Sequence, residues 1–170
     1  TSVRIAKPNG NWACQHLFYN FKSQFHCLAY QSISAPDGMI IHLWGPKAGK
    51  HNDRLLLGES GVNKLLEDLQ RLPDERLPQE GQRFSAYTDR GYENNTCIWA
   101  AHHGILVTVQ QAEYNDIMSP SRVCVEWGFS KIKNFSRLLG RLYNMQVQGN
   151  CVDVHMKATT LLVNAHTMLH

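Results

Sequence analysis

The strongest constraint on the fold of this 170-residue chain is a turn signal between two strand-like segments. The turn is APDG at 35–38, with proline and glycine where a β-turn accepts them. The segments on either side, FHCLAYQSIS at 25–34 and MIIHLW at 39–44, are rich in apolar and β-forming residues. The pattern therefore predicts an antiparallel hairpin, which argues against an all-helical fold.

Helical spacing begins after the hairpin. The segment 45–53 has the glycines, proline and charges of a loop. Leucines then recur at helical intervals over 62–72, and Ser60 is a candidate N-cap for that helix. The segment 84–88 is predicted as another strand.

The C-terminal half is predicted to be mostly helical. Helical spacing covers 109–118, and Ser119-Pro120 resembles the start of a new helix, because serine caps helices and proline suits the first helical position. That helix is predicted over 120–142, and a last helix over 155–169. Their expected apolar faces are Val125, Phe129, Ile132, Leu139 and Leu142 for the first, and Leu161, Leu162, Ala165 and Leu169 for the second. Strands followed by helices, a strand and more helices indicate a mixed α/β fold with helices packed on a sheet.

The composition excludes several classes of protein. The length suits one domain, so a single domain is predicted over residues 1–170. The formal charge of +3 is compatible with a phosphate-bearing partner. The five cysteines are far apart and form no C-x-x-C pair, which argues against a zinc ribbon or a disulfide framework. No apolar run approaches the roughly 20 residues that cross a bilayer, and no signal segment opens the sequence.

One carboxylate lies in a stripe of basic residues on the helix predicted from residue 120. Steps of three and four residues define this stripe, which comprises Arg122, Glu126, Ser130, Lys133, Arg137 and Arg141. A solvated helix face with intrahelical ion pairs has the same pattern. A metal-binding carboxylate beside cations that hold nucleic-acid phosphates has it too. The pattern alone leaves both interpretations open.

Two aspartates are further candidates. Asp89 follows a predicted strand, and carboxylates at strand ends serve both in active sites and in turns. Asp53 closes the charged loop, where a helix cap or an Asx-turn is the local expectation. The glycines and lysines of 45–53 lack the G-x-x-x-x-G-K-[ST] spacing of a nucleotide-binding loop.

Five segments together resemble the DDE-superfamily endonucleases of the Harbinger transposase type. They are FHCLAYQSISAPDGMI at 25–40, GPKAGKHNDRLLLGESG at 45–61, TDRGY at 88–92, YNDIMSPSRVCVEWGFSKIK at 114–133 and LLVNAHTMLH at 161–170. The segments occur in the family's order and span nearly the whole chain. The resemblance implies an RNase H-like mixed sheet flanked by helices.

The resemblance also implies an acidic metal site. The family's last acidic residue lies in a Val-Glu-x-x-Phe motif and matches Glu126. Its middle aspartate matches Asp89, which is 37 residues earlier. A recurrent His-Asp pair matches Asn52-Asp53, which makes Asp53 the alternative second ligand. The metal would be Mg²⁺ or Mn²⁺, since hard cations prefer oxygen ligands.

DNA is the partner that the resemblance implies, held at its phosphates by Arg122, Lys133, Arg137 and Arg141. The family also implies a nuclear location and, in addition, a separate DNA-binding accessory protein. The reaction that the resemblance implies is phosphodiester hydrolysis, in which two metal ions such as Mg²⁺ can activate water and stabilise the leaving oxygen.

The sequence departs from the family pattern at several places. The family's first aspartate, in an Asp-Gly-Thr motif, would fall just before Thr1, so the chain is expected to be an N-terminally truncated catalytic core without the upstream helix-turn-helix region. The family's Tyr-Asn-Gly-His-Lys-Arg stretch reads YNFKSQ at 19–24. Because two carboxylates position an ion poorly, these 170 residues are expected to be catalytically inactive as they stand.

Two functional hypotheses follow, with an unrelated α/β domain as a weaker third. The first is a nuclease, and the second is a catalytically dead, transposase-derived domain that binds DNA or a protein. The nuclease hypothesis requires Asp89 and Glu126 within reach of a shared metal, about 4–7 Å between their carboxyl groups.

Overall fold

The protein has a mixed α/β fold, which confirms the predicted class. The computed structural model describes residues 1–71, 84–104, 106–139, 145–146 and 151–169. Within them the strands are β1 (Ser2–Arg4), β2 (Tyr19–Asn20), β3 (Phe25–Ser34), β4 (Ile40–Ala48), β5 (Ala86–Thr88) and β6 (Ile98–Ala100). The helices are α1 (Trp12–Phe18), α2 (Asp53–Ser60), α3 (Val62–Arg71), α4 (Val109–Phe135) and α5 (Val152–Leu169), with a short 3-10 turn at Arg137–Leu139.

The chain divides into two compact units. The first unit comprises Thr1–Asn52 and Cys124–His170, and the second comprises Asp53–Val123. The prediction of a single domain over 1–170 stays a prediction. None of the described helices is both long enough and apolar enough to cross a membrane.

The sheet of the first unit is built on β3, which pairs antiparallel with β1, β2 and β4. The predicted hairpin is confirmed: the Gly38 N–H donates to the Ala35 carbonyl at 2.9 Å, and the Ala35 N–H donates to the Met39 carbonyl at 2.8 Å. Gly38 has a φ of +88°, which glycine adopts without steric penalty.

The start of the loop that the sequence predicts, at residue 45, is too early. β4 continues to Ala48, with Trp44 opposite Gln31 and Lys47 opposite Ala29. The pairing register shifts between these two pairs, so the strand takes up the glycine and proline as an irregularity and then resumes its pairing. Glycine and proline are turn signals in a sequence, which explains the error.

The core of the first unit lies between the sheet and parts of α4 and α5. Its buried members are Val3, Ile5, Leu28, Tyr30, Ile40, Ile132, Leu139, Met145, Val152, Met156 and Val163, and Phe129 packs against them. The expected apolar face of the predicted 120–142 helix is thus confirmed at Phe129 and Ile132. Leu139 is buried from the 3-10 turn, and Leu142 lies outside the described residues.

The apolar face expected for the last helix is wrong. Leu161, Leu162 and Leu169 are exposed, whereas Met156, Thr160 and Val163 are buried. The buried threonine is tolerated because its hydroxyl donates to the Met156 carbonyl at 2.8 Å within the helix.

Asn164 then fixes the helix on the sheet, because its side chain both accepts from the Ile40 N–H at 3.0 Å and donates to the Ile40 carbonyl at 2.8 Å. α5 therefore packs on the sheet through the hydrogen bonds of Asn164 and a face that mixes apolar residues with threonines. Its leucines are exposed and lie away from the core.

Two substitutions on this helix should distinguish its buried face from its exposed face by their effects on stability. Met156 is fully buried, so Met156→Ala should lower the free energy of unfolding by about 2–5 kcal/mol. Leu161 is 70% exposed, so Leu161→Ala should change it by no more than about 0.5 kcal/mol. Urea unfolding of the two variants and the unmodified chain measures both values. A larger loss at Leu161 would reverse our assignment of the faces.

The helix start expected at Ser119-Pro120 is also wrong, because α4 runs without interruption from Val109 to Phe135. The helix begins instead with a capping box: the Thr108 hydroxyl accepts from the Gln111 N–H at 3.3 Å, and the Gln111 side chain accepts from the Thr108 N–H at 3.1 Å. Pro120 removes one backbone donor from the helix interior, a penalty of about 3 kcal/mol that the turns on either side outweigh.

The second unit contains α2, α3 and a two-stranded parallel sheet of β5 and β6. The helix predicted over 62–72 is confirmed as α3 over Val62–Arg71, and residue 72 lies outside the described residues. The Ser60 hydroxyl accepts from the Val62 N–H at 3.3 Å. The prediction missed α2, which begins at Asp53, and β6, which is three residues long. The Asn95 side chain fixes the start of β6 by accepting from the N–H groups of Cys97 and Ile98 at 2.8 Å.

Candidate active site

Asp89 stands where a strand of the second unit ends. It follows Thr88, the last residue of β5, which pairs in parallel with β6. Its Oδ1 accepts from the Arg90 N–H at 2.8 Å, and the Asp89 carbonyl accepts from the Tyr92 N–H at 3.2 Å. These bonds close a tight turn and leave the carboxylate exposed at the sheet edge.

Asp53 approaches the same turn from α2. It is the first residue of that helix, where a negative charge is favourable because the helix dipole is positive at this end. A side-chain Cβ at Gly91 would lie only 3.0 Å from the Asp53 Oδ2. The absence of a side chain at Gly91 therefore leaves room for the carboxylate.

The pKa of Tyr92 depends on both carboxylates. Burial raises the pKa of the Tyr92 phenol, and the negative charges of Asp53 and then Asp89 raise it further. The phenol therefore stays protonated at neutral pH. Two of the three predicted acidic residues are thus brought to one place in the second unit, around a neutral, partly buried hydroxyl.

The titration of Tyr92 gives a direct test of this convergence. Replacing Asp53 with asparagine should lower the pKa of the Tyr92 phenol, and Asp89→Asn should lower it by less, because Asp53 has the larger electrostatic effect. Carbon NMR of labelled tyrosine rings across an alkaline titration measures the change. Asp116→Asn, an exposed aspartate elsewhere in the unit, is the control. If neither variant moved the titration, the two carboxylates would not meet at Tyr92.

Arg122 is the ionic partner of Asp89. Its Nη1 lies 3.2 Å from the Asp89 Oδ1, and both side chains are partly exposed. An exposed pair of this kind contributes at most about 1 kcal/mol, so a stronger competitor can displace the arginine. The sequence placed Arg122 among residues that hold DNA and did not reveal this pairing, because the two residues are 33 positions apart.

The remaining basic residues do not all share a helix face. Lys133 lies near the end of α4 and its Nζ donates to the Thr1 hydroxyl at 3.2 Å. Arg137 comes after the helix end, in the 3-10 turn, so the predicted helical stripe does not extend to it. Arg141 lies outside the described residues. Within the described residues, the prediction of one continuous basic face is therefore wrong at Arg137.

Glu126 lies on α4 in the first unit. It is exposed and, in the part of the chain that the structure describes, forms no hydrogen bond or ion pair. Its neighbour Gly128 faces Ile40 and Ser34, with 3.8 Å from a Cβ at position 128 to the Ile40 side chain, so this part of α4 packs closely on the hairpin. The convergence of Glu126 with Asp53 and Asp89 stays a prediction.

A complete metal-ligand set is not assembled by the described residues, which contain no group of three or more histidine, cysteine, aspartate or glutamate side chains positioned to hold a metal. Two convergent carboxylates nevertheless suit a hard cation such as Mg²⁺, which binds through one or two carboxylates and keeps several waters. The residues present therefore fit part of such a site.

The fold and site define a mixed α/β protein with acidic residues converging at a strand end. Comparison with family models matches residues 1–164 to the DDE superfamily endonuclease family. The chain belongs to that family. Searches among curated proteins and among solved structures found no match.

Proposed function

We propose that this chain is the catalytic core of a Harbinger-type transposase nuclease, with an RNase H-like fold, that hydrolyses DNA phosphodiester bonds with Mg²⁺ or Mn²⁺. Asp89, Asp53 and Glu126 are the proposed metal ligands. The observation that carries the proposal is the approach of Asp53 and Asp89 to the same turn, around Gly91 and Tyr92. Membership of an endonuclease family supports the reaction class.

Each residue around the turn has a definable task. The Arg90 N–H holds Asp89 by one oxygen, which restricts the carboxylate to a narrow range of orientations. Tyr92 stays a neutral phenol, because burial and its acidic neighbours oppose its ionisation, so it adds no third negative charge. A bound divalent cation would activate the attacking water and stabilise the leaving oxygen.

The basic residues are the proposed DNA contacts. Arg122, Lys133, Arg137 and Arg141 would hold the strand by its phosphates without reading its sequence. Arg122 would have two tasks, because it also neutralises Asp89 while no metal is bound. Release of Asp89 to a metal would free the guanidinium for a phosphate.

Further proposals follow from the family. The substrate DNA implies a nuclear location, and a separate DNA-binding accessory protein would supply target recognition.

A second candidate function is DNA or protein binding without catalysis. The specific observation in its favour is the ion pair between Asp89 and Arg122, since a guanidinium already pairs with one of the proposed metal ligands. The two candidates differ in whether divalent metal changes what the chain does to DNA.

Incubation of supercoiled plasmid DNA with the chain tests the proposal, with Mg²⁺, with Mn²⁺ and with chelator. We expect any nicking to be slow, to require metal and to disappear in Glu126→Gln, because Asp53 and Asp89 lie at one turn and Glu126 is the third proposed ligand. DNA binding with no nicking in either metal, at any protein concentration, would favour the non-catalytic candidate. Nicking that persists in Glu126→Gln would remove Glu126 from the site.

A further inference from the structure

Five aromatic rings form a connected surface at the N-terminal end of the first unit. Trp12 stacks on His16 with ring centroids 4.7 Å apart, and His16 meets Phe21 edge-on at 5.4 Å. Tyr19 meets Phe21 at 5.1 Å and His26 at 5.3 Å, both edge-on. We refer to these residues as the ring cluster.

The ring cluster is largely uncovered. Trp12 is 74% exposed and Phe21 is 65% exposed, and α1 has no buried residue. Large aromatic rings bury more apolar area than most side chains, so folding would normally cover them. Trp12 and Phe21 are connected through the half-buried His16, and their exposed surfaces are available to a flat ligand.

The segment that carries the rings is firmly attached to the sheet. The Asn11 side chain caps α1 by accepting from the Cys14 N–H at 3.0 Å. The Lys50 N–H donates to the Leu17 carbonyl at 3.0 Å, and the Asn20 side chain donates to the Gly49 carbonyl at 3.1 Å. These bonds tie α1 and β2 to the end of β4, so the rings are presented on a fixed base.

The chain segment that carries the ring cluster is positively charged. Residues 1–36 contain Arg4, Lys7 and Lys22 and no aspartate or glutamate. Burial lowers the pKa of the His26 imidazole, and the nearby charge of Lys7 lowers it further, which places a cation beside the rings. Arg4 lies over the ring of Phe25, 5.7 Å from its centroid.

We propose that the ring cluster stacks the bases of single-stranded DNA while the neighbouring cations hold its phosphates. Proteins that bind single-stranded nucleic acid combine exposed aromatic rings, on which the bases stack, with basic residues that hold the phosphates. A duplex keeps its bases stacked inside, so it offers phosphates to the cations but no base faces to Trp12. The choice of DNA rests on the proposed function, whereas the stacking surface requires no metal and no catalysis.

Binding of a labelled thymidine oligonucleotide, followed by fluorescence anisotropy in the presence of chelator, tests the proposal. Trp12→Ala should weaken binding roughly 5- to 100-fold, the range expected when one base loses its stacking partner. Trp12→Phe should recover most of the affinity, because it keeps a ring. Leu17→Ala changes another exposed residue of α1 and should leave binding unchanged.

An abasic strand of the same length separates stacking from charge. It keeps the phosphates, so it should bind the unmodified chain about as weakly as the thymidine strand binds Trp12→Ala. Equal affinity for abasic and thymidine strands would overturn the proposal and leave the rings as a surface for a protein partner. Unchanged binding in Trp12→Ala would overturn it as well.

The same assay keeps this inference apart from the proposed nuclease. Chelator removes metal chemistry, so the anisotropy assay measures the stacking surface without the proposed nuclease, and Asp116→Asn, an exposed aspartate outside both proposed sites, should bind the thymidine strand as the unmodified chain does. Loss of nicking with intact single-strand binding would therefore contradict only the proposed function. Absence of single-strand binding by a chain that nicks plasmid DNA would contradict only the stacking surface.

Discussion

Asp89→Asn should weaken the binding of Mn²⁺ to the chain by about 100-fold or more. Loss of a residue that merely orients a metal ligand lowers affinity by about 10- to 100-fold, and loss of the ligand itself should reach at least the upper end of that range. Calorimetric titration, or electron paramagnetic resonance of free Mn²⁺, measures the affinity. The turn itself should survive, because the asparagine side chain can still accept from the Arg90 N–H.

Arg122→Gln should act in the opposite direction. Removing the guanidinium 3.2 Å from Asp89 removes the competitor for the carboxylate, so Mn²⁺ should bind up to about fivefold more tightly, the equivalent of an exposed ion pair. Asp116→Asn, on the same unit, should leave the affinity unchanged. If Asp89→Asn and Asp116→Asn bound Mn²⁺ equally well, Asp89 would not be a ligand.

Gly49→Ala should lower the free energy of unfolding by about 3 kcal/mol or more. A Cβ at position 49 would lie 2.5 Å from the Phe18 carbonyl oxygen, and 2.7 Å from both the carbonyl oxygen and the sulfur of Cys27. Two of these three atoms belong to the backbone of neighbouring elements, and a backbone atom cannot move aside without disturbing the sheet.

Gly58→Ala is the matched control for this effect. Gly58 lies in α2, no atom comes within 4 Å of a Cβ built there, and its φ is not in the left-handed region. The same substitution should therefore stabilise the chain, by up to about 1 kcal/mol, because alanine favours a helix. Urea unfolding of both variants measures the difference. Equal effects at positions 49 and 58 would show that the space around Gly49 is larger than described.

The hairpin and the position of Asp89 could be predicted because each depends on a local pattern. The APDG turn fixes its own geometry, and the segments on either side are rich in apolar and β-forming residues. Asp89 is a candidate because it follows a predicted strand and precedes Arg90-Gly91-Tyr92, and because it matches the middle aspartate of the family that the sequence resembles. Neither inference required knowledge of contacts between distant parts of the chain.

The face of α5 could not be predicted in this way. Leucines on one side of a helix normally indicate the core, but the core here accepts Thr159 and Thr160 instead. The Thr160 hydroxyl is satisfied inside the helix, and Asn164 is satisfied by Ile40, which is 124 positions away. Polar residues that find such partners pack as well as apolar ones, and the sequence does not reveal the partner.

The sequence also does not predict that Asp89 pairs with Arg122 or that Asp53 lies close to Gly91. Both depend on how α2, the turn after β5 and α4 come together within the second unit. The sequence offered Asp53 and Asp89 as alternatives for one role. Within the second unit the charges of both aspartates raise the pKa of Tyr92, and which of the two binds a metal stays a prediction.

The missing side chain at Gly91 has a consequence for how the loss of activity should be diagnosed in relatives of this chain. A methyl group there would stand 3.0 Å from the Asp53 Oδ2, and the carboxylate could swing aside at little cost in stability. A relative with a side chain at this position would keep its fold and every acidic residue, but its equivalent of Asp53 would be displaced. An inventory of acidic residues alone would count it as intact, so degeneration of this kind has to be looked for at a glycine.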